Sequence, residues 1–236
     1  MASHTPQSPA FGNRGDPASN LGTSLVAWAA IGAALAVLML LAALHLLSPE
    51  FDPSFRVLSE YANGRYRWVL SVLFVCWAIS SWALAIAIWP QVDATAGKIG
   101  LGFLIAAGLG EAMASVFHID HPLHGLAGLI GVFSLPVAAM LISVRLARNP
   151  AWAGAKKLLL WTANATWVIL VLMFAALFIM IRGYTVAGHK IIVVGYANRL
   201  LVVLYCTWVI TVAVQALKRR DTGSERRPRE ASSLAL

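Results

Sequence analysis

The sequence predicts an all-α polytopic membrane protein, a bundle of six transmembrane helices, and three observations predict it. Of the 236 residues, 59% are hydrophobic and only 12% charged, against the roughly 25% charged that a soluble domain carries. The apolar residues gather into six stretches, each reaching the ~20 residues that cross a ~30 Å hydrocarbon core at 1.5 Å per residue. Most charged residues fall in the links between these stretches and in the two tails.

In chain order, residues 1–20 ("MASHTPQSPAFGNRGDPASN") are rich in Pro, Ser, Gly and Asn and read as a disordered tail. The first span, Leu21 to Leu47, is too long for a signal-peptide core and has no small-residue cleavage site after it, so it is expected to be retained. The second, Trp68 to Trp89, is bracketed by two tryptophans ~32 Å apart along a helix, the separation of two interfacial anchors. The third, Gly97 to Phe117, carries Gly102, Ala106, Gly110 and Ala114 at a spacing of four, a ridge along which another helix can approach closely. The fourth, Leu123 to Leu146, repeats that spacing at Ala127 and Gly131, and the short link makes the two helices antiparallel neighbours. Pro136 inside it removes a backbone donor, and the carbonyl it frees needs a partner from another helix. Lys157 to Ile181 and Ile191 to Leu217 complete a transmembrane domain over 21–217, and 218–236 reads as a basic disordered tail. Cys76 and Cys206 lie inside spans at different depths, which does not suit a disulfide.

Orientation follows from Lys and Arg near the span ends. The side of the two termini collects Arg14, Lys98, Arg145, Arg148, Lys156, Lys157, Lys218, Arg219, Arg220, Arg226, Arg227 and Arg229. The other side has Arg56, Arg65, Arg67, Arg182 and Lys190. Both termini are therefore expected to be cytoplasmic, with the chain multi-pass in a cell membrane, the cytoplasmic membrane of a bacterium. The net charge of +8 is then an orientation and anionic-lipid signal. Membrane lipids are the expected partners; nucleic acid is not, because the basic residues have no interleaved aromatics and no binding motif.

Three short motifs carry a family resemblance: "LSEYANG" before the second span, "VFHID" with a following histidine at the third junction, and "GYANRLL" opening the sixth. With these the chain resembles the bacterial six-span family catalogued as domain of unknown function nine-nine-eight, over nearly its whole length apart from the tails. At the third junction the family carries a Phe-Pro-x-Asp pattern, whereas this chain reads Phe117, His118, Ile119, Asp120. The resemblance implies a six-helix integral membrane protein and no particular activity.

Candidate chemistry concentrates on the side opposite the termini. The stretch "VFHIDHPLHG" places His118, His121 and His124 three residues apart, and neutral imidazoles ligate zinc or copper. Asp120, Asp52, Glu60 or His189 offers a fourth ligand. Pro122 disfavours helical geometry at His121, and the spacing matches no standard zinc motif. The alternatives are thus a single metal at this face or a hydrogen-bonded interfacial loop in which His124 caps the fourth helix and Asp120 faces its N-terminus. Apart from His4 in the tail, every histidine lies in this outer portion, so a transmembrane haem chain is not expected.

Two charges lie deep inside spans, away from their ends. Glu111, ~10 Å below the outer end of the third, and Arg199, ~12 Å into the sixth, stand at matching depths. Buried intramembrane charges are expensive and are usually paired, which predicts a Glu111 to Arg199 ion pair facing the bundle interior. Ser59 and Glu60 offer a nucleophile and an acid, with no Gly-x-Ser-x-Gly elbow around the serine. Glu111, Arg199, Asp120, His124, Ser59 and Glu60 are together the candidate ligand-binding residues. The functional expectation is an outward-facing polar site that binds a lipid headgroup or small ligand. The alternatives are an intramembrane metal-dependent or acid/base enzyme acting on lipid, and a structural or signalling subunit.

Overall fold

The computed structural model describes the backbone of residues 17–183, 185–186, 189–190 and 193–233, and the side chains of 21–183 and 193–219. Six helices are long and apolar enough to cross a membrane. They are α1 (Pro17–Leu47), α2 (Arg67–Ile88), α3 (Thr95–Val116), α4 (His124–Ala147), α5 (Lys156–Arg182) and α6 (Val194–Ser233). Short 3-10 turns lie at Leu58–Asn63, Trp89–Gln91 and Pro150–Ala155, and two-residue strands β1 (Thr185–Val186) and β2 (His189–Lys190) pair antiparallel between α5 and α6.

Each predicted span corresponds to one helix, because in a bilayer a helix is the way a single apolar segment satisfies its own backbone. The first and last helices extend beyond the predicted spans. α1 is described from Pro17. α6 is described past the apolar segment, through the basic residues, to Ser233.

Successive helices are antiparallel neighbours, and α1 packs on α6 to close the circuit, with α6 also reaching α2 and α4. α3 and α4 make the closest pair. A Cβ at Gly110 would stand 2.7 Å from the Ala127 carbonyl oxygen and from the Gly131 Cα, so glycine is needed there. The predicted ridge is used only in part: Gly102 faces open space, while Gly100 packs on Leu141 and Ile142 of α4 and Gly108 receives the Trp82 indole from α2. That indole donates to the Ile105 carbonyl at 3.1 Å. Helix rotation, which a spacing of four does not fix, decides which glycines meet a neighbour.

Pro136 sits buried inside α4. The carbonyl four residues earlier, Val132, loses its intrahelical donor and accepts instead from the Tyr205 hydroxyl of α6 at 2.7 Å. The Trp208 indole of α6 donates to Ser143 Oγ of α4 at 3.0 Å, one buried polar group answering another. At the end of the bundle that carries the termini, Arg145 of α4 pairs with Asp93 in the α2–α3 link. The opposite end, carrying the α1–α2, α3–α4 and α5–α6 links, is called the distal end below.

Candidate functional site

The two intramembrane charges do not meet. Arg199 is 7% exposed, and every nitrogen of its guanidinium has a partner. Nε donates to His45 Nε2 at 2.7 Å, Nη1 to the carbonyls of Arg56 (2.6 Å) and Gly195 (3.0 Å), and Nη2 to the Tyr61 hydroxyl at 3.2 Å. The guanidinium also lies 5.5 Å from the centre of the Tyr61 ring, within cation–π range. His45 Nδ1 is 2.7 Å from the Leu41 carbonyl; a carbonyl only accepts, so Nδ1 carries the hydrogen and Nε2 is left as the acceptor for arginine.

The sequence that builds this arrangement is the α1–α2 link, which folds onto the start of α6. Gly195 permits it: a Cβ there would stand 2.8 Å from the Arg56 carbonyl oxygen and 2.9 Å from the Phe55 nitrogen. Gly195 N–H donates to the Ser54 carbonyl at 2.9 Å, and Asn198 Oδ1 accepts from the Leu58 N–H at 2.8 Å. Two of the motifs noted in the sequence, "LSEYANG" and "GYANRLL", are thus one packed unit. Asp52 in the same link accepts from the Ser54 N–H and hydroxyl at 2.8 and 2.7 Å. These bonds, with the nearby Arg199 charge, hold its carboxyl below the usual carboxylate range.

The predicted Glu111 to Arg199 pair is therefore corrected. Depth matching placed both charges near the distal end, but α3 has α2 and α4 as its close neighbours, and Arg199 faces α1 and the folded-in link. Glu111, 5% exposed, accepts instead from Ser81 Oγ of α2 at 3.0 Å.

Around Glu111 the four helices α2, α3, α4 and α6 leave a small cleft of about 50 Å³, lined by Phe74, Trp77, Ala114, Gly128, Val132 and Tyr205 among others. Its walls follow from the close α3–α4 approach at Gly110 and Gly131, which leaves room where larger side chains would stand. Trp77 is buried, yet its indole N–H has no hydrogen-bond partner in the protein. A buried donor without an acceptor is uncommon in folded chains and calls for an explanation. Neither Trp77 nor Ser81 was a sequence candidate; a tryptophan within an apolar span reads as core until its neighbours are known.

The histidine stretch is resolved by local bonding. His118 Nδ1 donates to the Val116 carbonyl at 3.1 Å and His124 Nδ1 to the Phe117 carbonyl at 2.8 Å. His121 Nδ1 accepts from the Leu123 N–H at 3.1 Å, and its ring stacks on Phe117. Each ring closes its own turn, so the expectation of a three-histidine metal site is corrected: among the described residues no three His, Cys, Asp or Glu side chains are grouped to hold a metal ion. The side chains of His4 and His189 lie outside the described residues. Glu60 spends both oxygens locally, on the Arg56 guanidinium at 2.5 Å and the Val57 N–H at 3.1 Å. With Ser59 it forms part of a 3-10 turn and not a nucleophile–acid pair. Asp120 is exposed in the α3–α4 link.

Six apolar helices with a polar knot and a carboxyl-bearing cleft define a multi-pass integral membrane protein. The chain belongs to the family described as protein of unknown function (DUF998), whose match covers residues 30–215. No curated protein and no solved structure matches it.

Proposed function

We propose that this protein binds a lipid-like amphiphile bearing a hydroxyl or amine group in the Glu111 cleft. The observation that carries the reading is the pairing of the Glu111 carboxyl with the unpartnered Trp77 indole N–H around one apolar space. A hydroxyl or amine there can donate to the carboxyl and, as a hydroxyl, accept from the indole, while its alkyl part lies against Phe74, Val132 and the small residues of α3 and α4. At about 50 Å³ the space is far smaller than a drug-sized pocket and takes only the polar head of such a molecule. Desolvated polar partners of this kind discriminate strongly against ligands lacking the polar group. The lysine and arginine excess supports an orientation with both termini cytoplasmic in a cell membrane, which puts the cleft in the outer half.

Arg199 stands outside this reading. Its donors are engaged by three chain segments, which supports a structural role in fixing α1, α6 and the α1–α2 link.

The test is photolabelling of the purified protein in detergent with a diazirine-bearing long-chain alcohol, with labelled peptides mapped by mass spectrometry. Labelling should concentrate on α2, α3 and α4 and fall several-fold in Glu111→Leu and Trp77→Phe. Labelling spread evenly over all six helices, or unchanged in both variants, would overturn the reading.

A further inference from the structure

We propose a second binding site, at the distal surface, for the zwitterionic phosphoethanolamine-type headgroup of a membrane lipid. A cleft of about 530 Å³ is lined by Ala62, Asn63, Gly64, Arg65 and Arg67 from the α1–α2 segment and by His118 and Asp120 from the α3–α4 link. It shares no lining residue with the Glu111 cleft, so the inference stands apart from the reading above.

The charges in this cleft are arranged by sign. Arg65 and Arg67 are exposed, and among the described residues neither forms an ion pair. Arg65 is braced 5.7 Å from the centre of the Tyr66 ring. Asp120 is likewise exposed and, among the described residues, without an ion pair. Arg56, a few residues earlier, shows the contrast, since it takes Glu60 as its own carboxylate. His118 donates through Nδ1 to the Val116 carbonyl, so in the neutral ring Nε2 is the acceptor.

One wall therefore offers cationic donors and an amide, Asn63, and the other offers a carboxylate and an imidazole lone pair. A phosphodiester monoanion matches the first wall, because guanidinium groups bind phosphate oxygens through paired charge-assisted bonds. A primary ammonium, a short linker away from the phosphate, matches the second. The height is right as well: Arg67 opens α2, and the next residue, Trp68, is 61% exposed, as an interfacial anchor would be.

The experiment is isothermal titration of the full-length protein in a nonionic detergent with dihexanoylphosphatidylethanolamine, dihexanoylphosphatidylglycerol and inorganic phosphate. The ethanolamine lipid should bind saturably and more tightly than the other two. Arg65→Gln combined with Arg67→Gln should weaken it roughly tenfold, the scale of one or two charge-assisted bonds. Asp120→Asn should weaken the ethanolamine lipid and leave the glycerol lipid unchanged. All three side chains are exposed, so unchanged melting temperatures should accompany these losses, and Glu111→Leu should leave the titration as it is. Binding that survives the arginine replacements overturns the proposal. Equal affinity for inorganic phosphate or for the glycerol lipid also overturns it, by showing a general anion surface.

Discussion

Replacing Tyr205 by Phe tests the link between a proline in one helix and a tyrosine in another. Pro136 supplies no N–H, so the Val132 carbonyl has only the Tyr205 hydroxyl, at 2.7 Å, in place of its helical donor. Tyr205 is 1% exposed, although it and Val132 both line the Glu111 cleft. Leaving a buried acceptor unsatisfied costs about 1–3 kcal/mol, and interhelical bonds in membrane proteins average nearer 0.6 kcal/mol. Tyr205→Phe should therefore destabilise by about 1 kcal/mol, read from unfolding in mixed micelles of increasing denaturing-detergent fraction. The decisive arm uses Pro136→Ala as background, where the alanine N–H can reach the Val132 carbonyl itself. There Tyr205→Phe should cost less than half as much. An equal loss in both backgrounds would refute the reasoning, because the tyrosine would then act through packing alone.

Glu111→Gln and Arg199→Gln should be additive in stability to within roughly 0.5 kcal/mol, as expected of sites that share no partner; a coupling above that in a double-mutant cycle would restore the ion pair. Gly110→Leu should prevent the close α3–α4 approach and cost more than the roughly 1–3 kcal/mol of ordinary overpacking, seen as a loss of folded protein on size-exclusion chromatography, whereas Gly102→Leu, which faces open space, should be tolerated. The Arg145 guanidinium beside Asp93 holds that carboxyl below the usual range, so its contribution is present above roughly pH 4 and is lost as pH falls through the lowered value; melting temperature should drop less on acidification in Asp93→Asn than in the wild type. Replacing His118, His121 and His124 together by Ala should leave the metal content of purified protein unchanged in elemental analysis, and a stoichiometric loss would reinstate the metal site.

Much of the candidate site was visible as residue types but not as partnerships. Glu111 and Arg199 stand out in the sequence because charges within apolar spans are costly wherever they point. Their equal depth is a one-dimensional fact, however, and pairing also needs the two helices to be neighbours with the right faces turned inward. The three histidines invited a shared ligand because they recur regularly, yet each found a backbone group within seven residues, and such local bonds form before any distant ligand is brought near. The carbonyl freed by Pro136 was legible as a need, since proline lacks a donor in any helix; its answer, Tyr205, lies 73 residues from Val132.

What the sequence by itself determined is the set of six spans, and with it the class of the protein, because hydrocarbon imposes a length and a polarity limit on each segment independently of the others. The tertiary structure alone decided that the α1–α2 link folds onto α6 and surrounds Arg199, through contacts 138 to 154 residues apart in sequence. It alone brought Trp77 and Glu111 to the lining of one cleft and Arg65, Arg67 and Asp120 to the lining of another. These outcomes depend on helix rotation and on which helices are adjacent. Both are fixed by the packing of the whole bundle, at glycines such as Gly110 and Gly195, and a single segment carries no record of them.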